Sequence, residues 1–495
     1  MISSTPEWIA RSVSRLRTAA PAADKAGDKL AKAALDKTVT DVVAKVAVPR
    51  STHERLQVTL RRGQEALSPR ALRRLLADLQ EVVAPQVSEI EGGRRAQVVA
   101  EWYAKAEPEE RRDMWLLMCE QFAPDATRFK SARQRYEAAA GTAEEGQAEI
   151  SLRRALVSPR TRLLQRFSAF PEGMRFLVDM RAEILPLLKA DNRLLPLDAE
   201  LEHLFSTWFD VAFLELRRLS WDSPASLLEK LIKYEAVHDI RSWADLKNRL
   251  DSDRRCYGFF HPRLPGEPLI FVEVALLDKI SSSITPLLDE AAAPVDITRA
   301  TTAIFYSISN TQTGLRGVSF GDSLIKHVVE TLTAEFPRLR TFATLSPIPG
   351  FRAWLGKHAG AMLDRLDDKR RSELGRAVGF EPPQATHFLG ALDKALELDA
   401  KSPVRQMLLE CAAYYLGREL QEGKPADPVA RFHLGNGARV ERLNWAGDPS
   451  SKGQKQSYGL MVNYLYDLKR IDKHRSLLAQ GKVPVSGDID SLCRD

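Results

Sequence analysis

Two polar side chains in this sequence stand where their neighbours restrict them. Thr341-Phe-Ala-Thr-Leu-Ser-Pro-Ile-Pro-Gly-Phe351 reads as an apolar strand that stops at Ser346, because Pro347 and Pro349 cannot continue a sheet ladder. A hydroxyl held at a strand C-terminus lies where α/β sheets open into ligand crevices. No Gly-x-Ser-x-Gly elbow surrounds it, so a hydrolase nucleophile is not indicated, and taken alone Ser346 also fits a plain turn. His433, in Phe432-His-Leu-Gly-Asn-Gly-Ala438, stands beside the turn residues Gly435 and Gly437. A tight turn there would present an imidazole, the side chain best matched to proton transfer near neutral pH. A lone loop histidine is more often a surface or structural group, and the other histidines lack metal-ligand spacing, so no metal site is indicated.

A third feature is a strand, a glycine-bearing turn and a helix in succession. Thr302-Ala-Ile-Phe-Tyr-Ser-Ile-Ser-Asn310 is the strand, Thr311 to Gly321 the turn, and Asp322 to Leu332 an apolar-periodic helix. Backbone N–H groups and a helix N-terminus then surround one point, which suits a phosphate and makes a nucleotide-like ligand the first hypothesis. Gly314, Gly317 and Gly321 permit close backbone approach. The same pattern also fits a plain strand-to-helix connection.

These residues need elements to hold them. At 495 residues, 44% hydrophobic and 28% charged, the chain has material for roughly two to four domains with sizeable cores. The net charge of +6, from 72 basic and 66 acidic residues interleaved along helical stretches, argues against a nucleic-acid partner. Cys119, Cys256, Cys411 and Cys493 form no close pair, which points to free thiols in a reducing compartment. No apolar run approaches the length of a membrane span, and the expected location is cytoplasmic. Met1 to Ala20 lacks a secretory core; Arg11, Arg15 and Arg17 among serines give it a weak transit-peptide character, which an ordinary solvated first helix explains better.

From Thr52 to about Leu250 one helical stripe follows another: Leu72 to Val83 after the Ser68-Pro69 start, Met114 to Phe122, Met174 to Leu188, Leu201 to Leu216, and Ser226 to Val237. Ala139 to Gly146 is a small-residue linker. Around Asp251 the character changes to short β-rich runs, at Cys256–Phe260, Leu269–Leu276, Ala303–Ile308 and Leu339–Leu345. A helical insertion over about 361–420, turn and strand over His433–Trp445, and a closing helix near Leu460 to Lys469 complete the reading. Tyr464 and Tyr466 on that helix, and Asn444-Trp445, are candidates to line or support the site, although packing explains them more readily. Glu267 and Glu273 show no paired acid–base spacing.

Cys256-Tyr-Gly-Phe-Phe-His-Pro262, Pro265-Gly-Glu-Pro-Leu-Ile-Phe-Val-Glu-Val-Ala-Leu276, Ala303-Ile-Phe-Tyr-Ser-Ile-Ser309, Thr344-Leu-Ser-Pro-Ile-Pro-Gly-Phe351 and Phe432-His-Leu-Gly-Asn-Gly-Ala438 together resemble the malonyl-CoA decarboxylase family. The match runs in order from Tyr234-Glu-Ala-Val-His-Asp-Ile240 to Gly459-Leu-Met-Val-Asn-Tyr464. The resemblance implies an α+β chain, with a helical oligomerisation domain over 1–190 and a catalytic domain of the GCN5-related N-acetyltransferase (GNAT) fold over 191–495. It implies a carboxy-lyase of fatty acid metabolism that converts malonyl-CoA to acetyl-CoA and carbon dioxide. No metal or prosthetic group is expected, since coenzyme A enters with the substrate, and the chain is expected to form a homodimer or homotetramer. Position by position, Arg316, Gly317, Val318, Ser319, Phe320, Gly321 and Asp322 would form the pyrophosphate loop, Ser346 the catalytic serine and His433 the proton donor. Ser319 stands where the acetyltransferase superfamily pattern has a middle glycine. A CoA-dependent GNAT acyltransferase, or a helical scaffold with an inactive catalytic domain, are the alternatives.

Overall fold

The structure is a computed structural model that describes residues 66–318 and 324–493. The helical readings before residue 66, and Ser319, Phe320, Gly321 and Asp322 of the proposed loop, lie outside the described residues. The chain divides into two compact units, one with residues 66–76 and Glu107–Ser158, the other with Ala77–Ala106 and 159–493.

The first unit is helical. Helix Pro108–Gln121 opens with a proline at its first turn and a reciprocal cap between Glu107 and Glu110, and it buries Met114, Trp115, Leu117 and Met118. Helices Ala126–Ala139 and Glu145–Leu156 follow, with the small-residue linker between them. In the second unit, helix Glu89–Lys105 packs on Pro159–Phe167 and carries Gly92 and Gly93, where a Cβ would meet the Arg166 and Ala169 side chains.

The second unit is built on a mixed sheet. Its strands are β1 (Glu215–Leu219), β2 (Arg254–Phe260), β3 (Pro268–Leu277), β4 (Thr302–Asn310), β5 (Thr341–Thr344), β6 (Ser346–Pro347), β9 (Arg439–Asn444) and β10 (Met461–Leu465); β7 (Leu420–Gln421) and β8 (Lys424–Pro425) form a separate hairpin. The order is β1-β2-β3-β4-β5-β10-β6, with β9 also on β10. The only parallel pair among the described strands is β4 with β5, joined through helix Leu324–Glu335. β2 and β3 are buried almost throughout, as continuous apolar runs bounded by turn residues require.

Three sequence expectations are corrected. The stripe from Leu201 to Leu216 ends as a helix at Trp208, and Glu215–Leu219 is an edge strand paired with β2, so the sheet begins well before Asp251. Its two arginines and glutamate mask β periodicity while suiting an exposed edge. The insertion's helices run from Phe351 to Gly417, starting as soon as Pro347 and Pro349 are passed. The closing segment near Leu460 to Lys469 is strand β10, not a helix. Met461 to Tyr464 are buried without alternation, and such a short run cannot be told from a buried helix by pattern.

Gly314 is required by packing. A Cβ there would lie 1.8 Å from Val178 O of helix Gly173–Ile184. The same helix sends up Arg181, whose Nη1 donates to Gly314 O at 2.7 Å and Arg316 O at 2.8 Å while its Nε donates to Asp198. Gly314→Ala is expected to destabilise the protein by roughly 2–4 kcal/mol, as read from chemical denaturation, because backbone must move to admit the methyl group.

Candidate active site

Ser346 reaches its position through a change of partner. β5 pairs with β4 from Thr302↔Thr341 to Phe305↔Thr344, and Leu345 N then donates to Phe305 O. The chain next leaves β4 and joins β10, with Ser346 opposite Val462 and Pro347 opposite Met461. Beyond Phe305, β4 continues to Asn310 bonded to β3 alone. The two strands therefore splay, and a cavity of about 430 Å³ opens there.

His433 comes from the other side, on helix Pro428–Gly435. It sits in the last turn of a helix rather than in the tight turn its glycines suggested. Asp427 caps that helix by accepting from Val429 N and Ala430 N, and Pro428 occupies the first turn. The glycines act just after the helix, where Gly437 takes φ +86° and Ala438 N donates back to His433 O.

The two side chains meet. Ser346 Oγ lies 3.3 Å from His433 Nε2 although the residues are 87 apart in sequence. Ser346 O–H donates to Thr344 Oγ1 at 2.8 Å, which leaves the serine oxygen to accept from an Nε2–H. Nδ1 is then the acceptor, and the Tyr466 hydroxyl stands 2.7 Å from it. The imidazole is stacked on Tyr464 at 4.8 Å between centroids and is only 3% exposed. Burial pushes its pKa down to about 3, so the ring is neutral near pH 7.

The cavity wall is mostly apolar, with Ile270, Phe305, Leu345, Val429 and Phe432, and Arg431 is its only formally charged lining residue among those described. Behind β4, Glu235 accepts from Ser307 Oγ at 2.9 Å and from Val237 N and His238 N at 2.7 Å, bracing the loop that puts Val237 into the wall. Of the predicted loop, Val318 lines the cavity and Gly317 has φ +82° with open space where a Cβ would go. Glu267 pairs with Lys230 and Glu273 with Arg249, both as structural ion pairs outside the cavity lining.

The sequence matches the malonyl-CoA decarboxylase N-terminal domain over residues 122–209 and the malonyl-CoA decarboxylase C-terminal domain over residues 212–495. The chain belongs to the malonyl-CoA decarboxylase family. It is 38% identical over 361 residues to the mitochondrial malonyl-CoA decarboxylase of Mus musculus, covering 70% of this chain and 73% of that protein. Among solved structures, malonyl-CoA decarboxylase from Agrobacterium vitis matches with TM-score 0.73 and 39% identity over 85% of this chain and 100% of that one. The Rhodopseudomonas palustris enzyme matches with TM-score 0.72 and 40% identity over 85% and 99%. No described helix is long and apolar enough to cross a membrane.

Tyr464 and Tyr466, which the sequence offers as site-supporting residues but more readily as packing, both meet His433: one stacks on the imidazole and the other bonds it. Their spacing of two puts them on one face of a strand, a signal hidden once the segment is read as a helix. Thr344, which accepts from both Ser346 Oγ and Tyr464 N, was not singled out.

A buried neutral histidine leaves a mark on acid stability. His433, at about 3, and His238, lowered by burial to about 4, take up protons in the unfolded chain first. Their contribution is complete above pH about 6.5 and is lost as pH falls toward those values, at about 1.4 kcal/mol per pH unit for each group. Unfolding titrations between pH 7 and 4.5 should show a steeper loss in the wild type than in His433→Asn.

Proposed function

We infer that the chain decarboxylates malonyl-CoA to acetyl-CoA and carbon dioxide, that Ser346 orients the malonyl group, and that His433 protonates the carbon left behind. The observation that carries this reading is the 3.3 Å approach of Ser346 Oγ and His433 Nε2 inside one apolar cavity.

The chemistry asks for few groups. Carbon dioxide is neutral while the departing carboxylate is charged, so an apolar wall disfavours the ground state more than a transition state with dispersed charge; binding of the remote coenzyme A portion offsets the cost. Turning the carboxylate out of the thioester plane aligns the breaking bond with the carbonyl π system. The electron pair then flows to the thioester oxygen. With substrate bound, the Ser346 hydroxyl turns its one hydrogen from Thr344 to that oxygen, and such a donor lowers the barrier by about 3–4 kcal/mol. The enolate carbon takes its proton from Nε2–H of His433.

The coenzyme A arm has a natural seat. The edge of β4 from Ser307 to Asn310, without a ladder partner on the splayed side among the described strands, can take the amides of an extended chain as a further strand takes a sheet edge. Arg316 to Asp322 then receives the pyrophosphate, in keeping with the GNAT resemblance. Arg181 holds the start of that loop by its carbonyls, which leaves Gly317 free on the open side.

Ser346→Ala and His433→Ala are each expected to lower kcat on malonyl-CoA by about a hundredfold or more, with KM changed only a few-fold. Carbon dioxide release from malonyl-CoA alone is the measurement, and it also separates a decarboxylase from an acyltransferase, which needs an acceptor. Wild-type turnover in both variants would remove the assignment. Gly317→Leu should instead weaken coenzyme A binding in a calorimetric titration, and unchanged affinity would rule out the loop's role.

A further inference from the structure

On the function proposed above, the proton donor is a buried imidazole that is neutral at working pH. A neutral imidazole that gives up its Nε2 proton becomes an imidazolate unless a second proton reaches Nδ1 in the same event. Among the described residues, the one hydrogen-bond partner of Nδ1 is the Tyr466 hydroxyl, at 2.7 Å. The sense of the chain is set from the far end. Ser346 O–H donates to Thr344, Nε2–H points to Ser346, and Tyr466 O–H points to Nδ1.

Tyr466 also stands at a boundary. His433 lines the first cavity, and Tyr466 lines a second one of about 180 Å³ that His433 does not touch. At roughly 30 Å³ per water, that space has room for several solvent molecules. Its charged lining is Lys326, Asp472 and Arg475; burial holds the Tyr466 hydroxyl well above its ordinary range, so the phenol keeps its proton at rest and yields it only to a much stronger base. Asn436 borders both cavities.

We propose that Tyr466 is the positioning residue of this site and its proton lender, fixing His433 as the Nε2–H tautomer and passing its own proton to Nδ1 as Nε2–H goes to the substrate carbon. The bookkeeping closes within one turnover. The C–CO2 bond breaks and carbon dioxide leaves; the enolate carbon gains the Nε2 proton; Nδ1 gains the hydroxyl proton; a phenolate remains beside the second cavity. The α-carbon of a thioester enolate is a far stronger base than a phenolate, so the transfer runs downhill. When product leaves and water enters the first cavity, Nε2 takes a proton from it, the hydroxide left behind departs to solvent or joins the carbon dioxide as bicarbonate, and the Nδ1 proton returns to Tyr466, restoring the starting tautomer without turning a ring held by Tyr464 and Phe432.

The charged and titratable groups that face the pair are Arg431 on the first cavity, Lys326, Asp472 and Arg475 on the second, and the stacked Tyr464. The wild type donates from a neutral ring, so its kcat should be flat from pH 6 to 8.5. Tyr466→Phe keeps the ring that packs on Phe305 and removes only the lent proton. It should keep KM within about threefold, lose about a hundredfold in kcat at pH 8, and regain activity about tenfold per unit as pH falls, because it must then donate from the imidazolium. Wild-type kcat in Tyr466→Phe, or a lowered kcat with a flat profile, overturns the proposal. Nitrogen-15 spectra of the ligand-free wild type give an independent reading: a neutral Nε2–H tautomer at pH 7 is expected, and an Nδ1–H tautomer or an imidazolium overturns the proposal even if the variant fails to fold. His433→Gln separates the two levels of the argument. Full turnover in His433→Gln defeats the site assignment itself, whereas an inactive His433→Gln beside a flat-profile Tyr466→Phe defeats only the lending step.

Discussion

Strand β10 is the constraint on which the site depends. Val462 and Met461 pair with Ser346 and Pro347, Leu465 pairs with Ala343 of β5, and the opposite edge pairs with β9. The same strand carries Tyr464, which stacks on the His433 ring, and Tyr466, the residue just after its end at Leu465, meets Nδ1. Serine and histidine arrive on segments with no sequence proximity, and β10 sets the position of both. A slip of one residue in its register would turn Tyr464 and Tyr466 to the other face and part Ser346 from its ladder at once. Asn463 adds a lock, with its Nδ2 donating to Thr344 O at 2.7 Å and its Oδ1 accepting from Asn444.

Burial then gives these positions their chemical value. In water a serine–histidine contact is weak and exchangeable. Inside an apolar wall each donor needs its acceptor, and an unmade hydrogen bond costs more than a made one gains. The run from Tyr466 through His433 and Ser346 to Thr344 meets that demand and also fixes which nitrogen carries the proton. One low-dielectric environment keeps the imidazole neutral and orients its N–H, and on the proposed function it would also disfavour a substrate carboxylate relative to neutral carbon dioxide.

What was legible in the sequence follows from how far each signal is local. β2, β3 and β4 were readable because long apolar runs end at Pro/Gly turns, and Ser346 was readable as a strand end because two prolines follow it. His433 was found as a residue but put in a turn. Asp427-Pro428, an N-cap followed by a proline at the first helical position, announced the helix, and Gly435 and Gly437 drew attention away from it. β10 was not legible, because a strand of five residues buried on both faces has no alternation to show, and its pairing with β5 and β6 is made with residues more than 100 positions earlier. Charge hid β1 in the same way, since an edge strand bearing Arg217 and Arg218 lacks apolar periodicity.

The helical stretch ahead of the sheet has a role that composition could not indicate. Arg181 lies within the part of the chain matched by the family's N-terminal domain, yet it belongs to the same compact unit as the sheet. It is 2% exposed, paired with Asp198, and donates to the carbonyls of Gly314 and Arg316. A buried guanidinium left without those carbonyls would strand charged donors in the interior, and the Gly314 carbonyl left without it would lose its buried partner. The loop read as a phosphate cradle is thus anchored from behind by a helix that begins at Gly173, with Gly314 allowing the contact and Gly317 facing open space. The start of the loop is held by a group more than 130 residues earlier in the chain, so on the proposed function the boundary between the two family domains is not a boundary of the site.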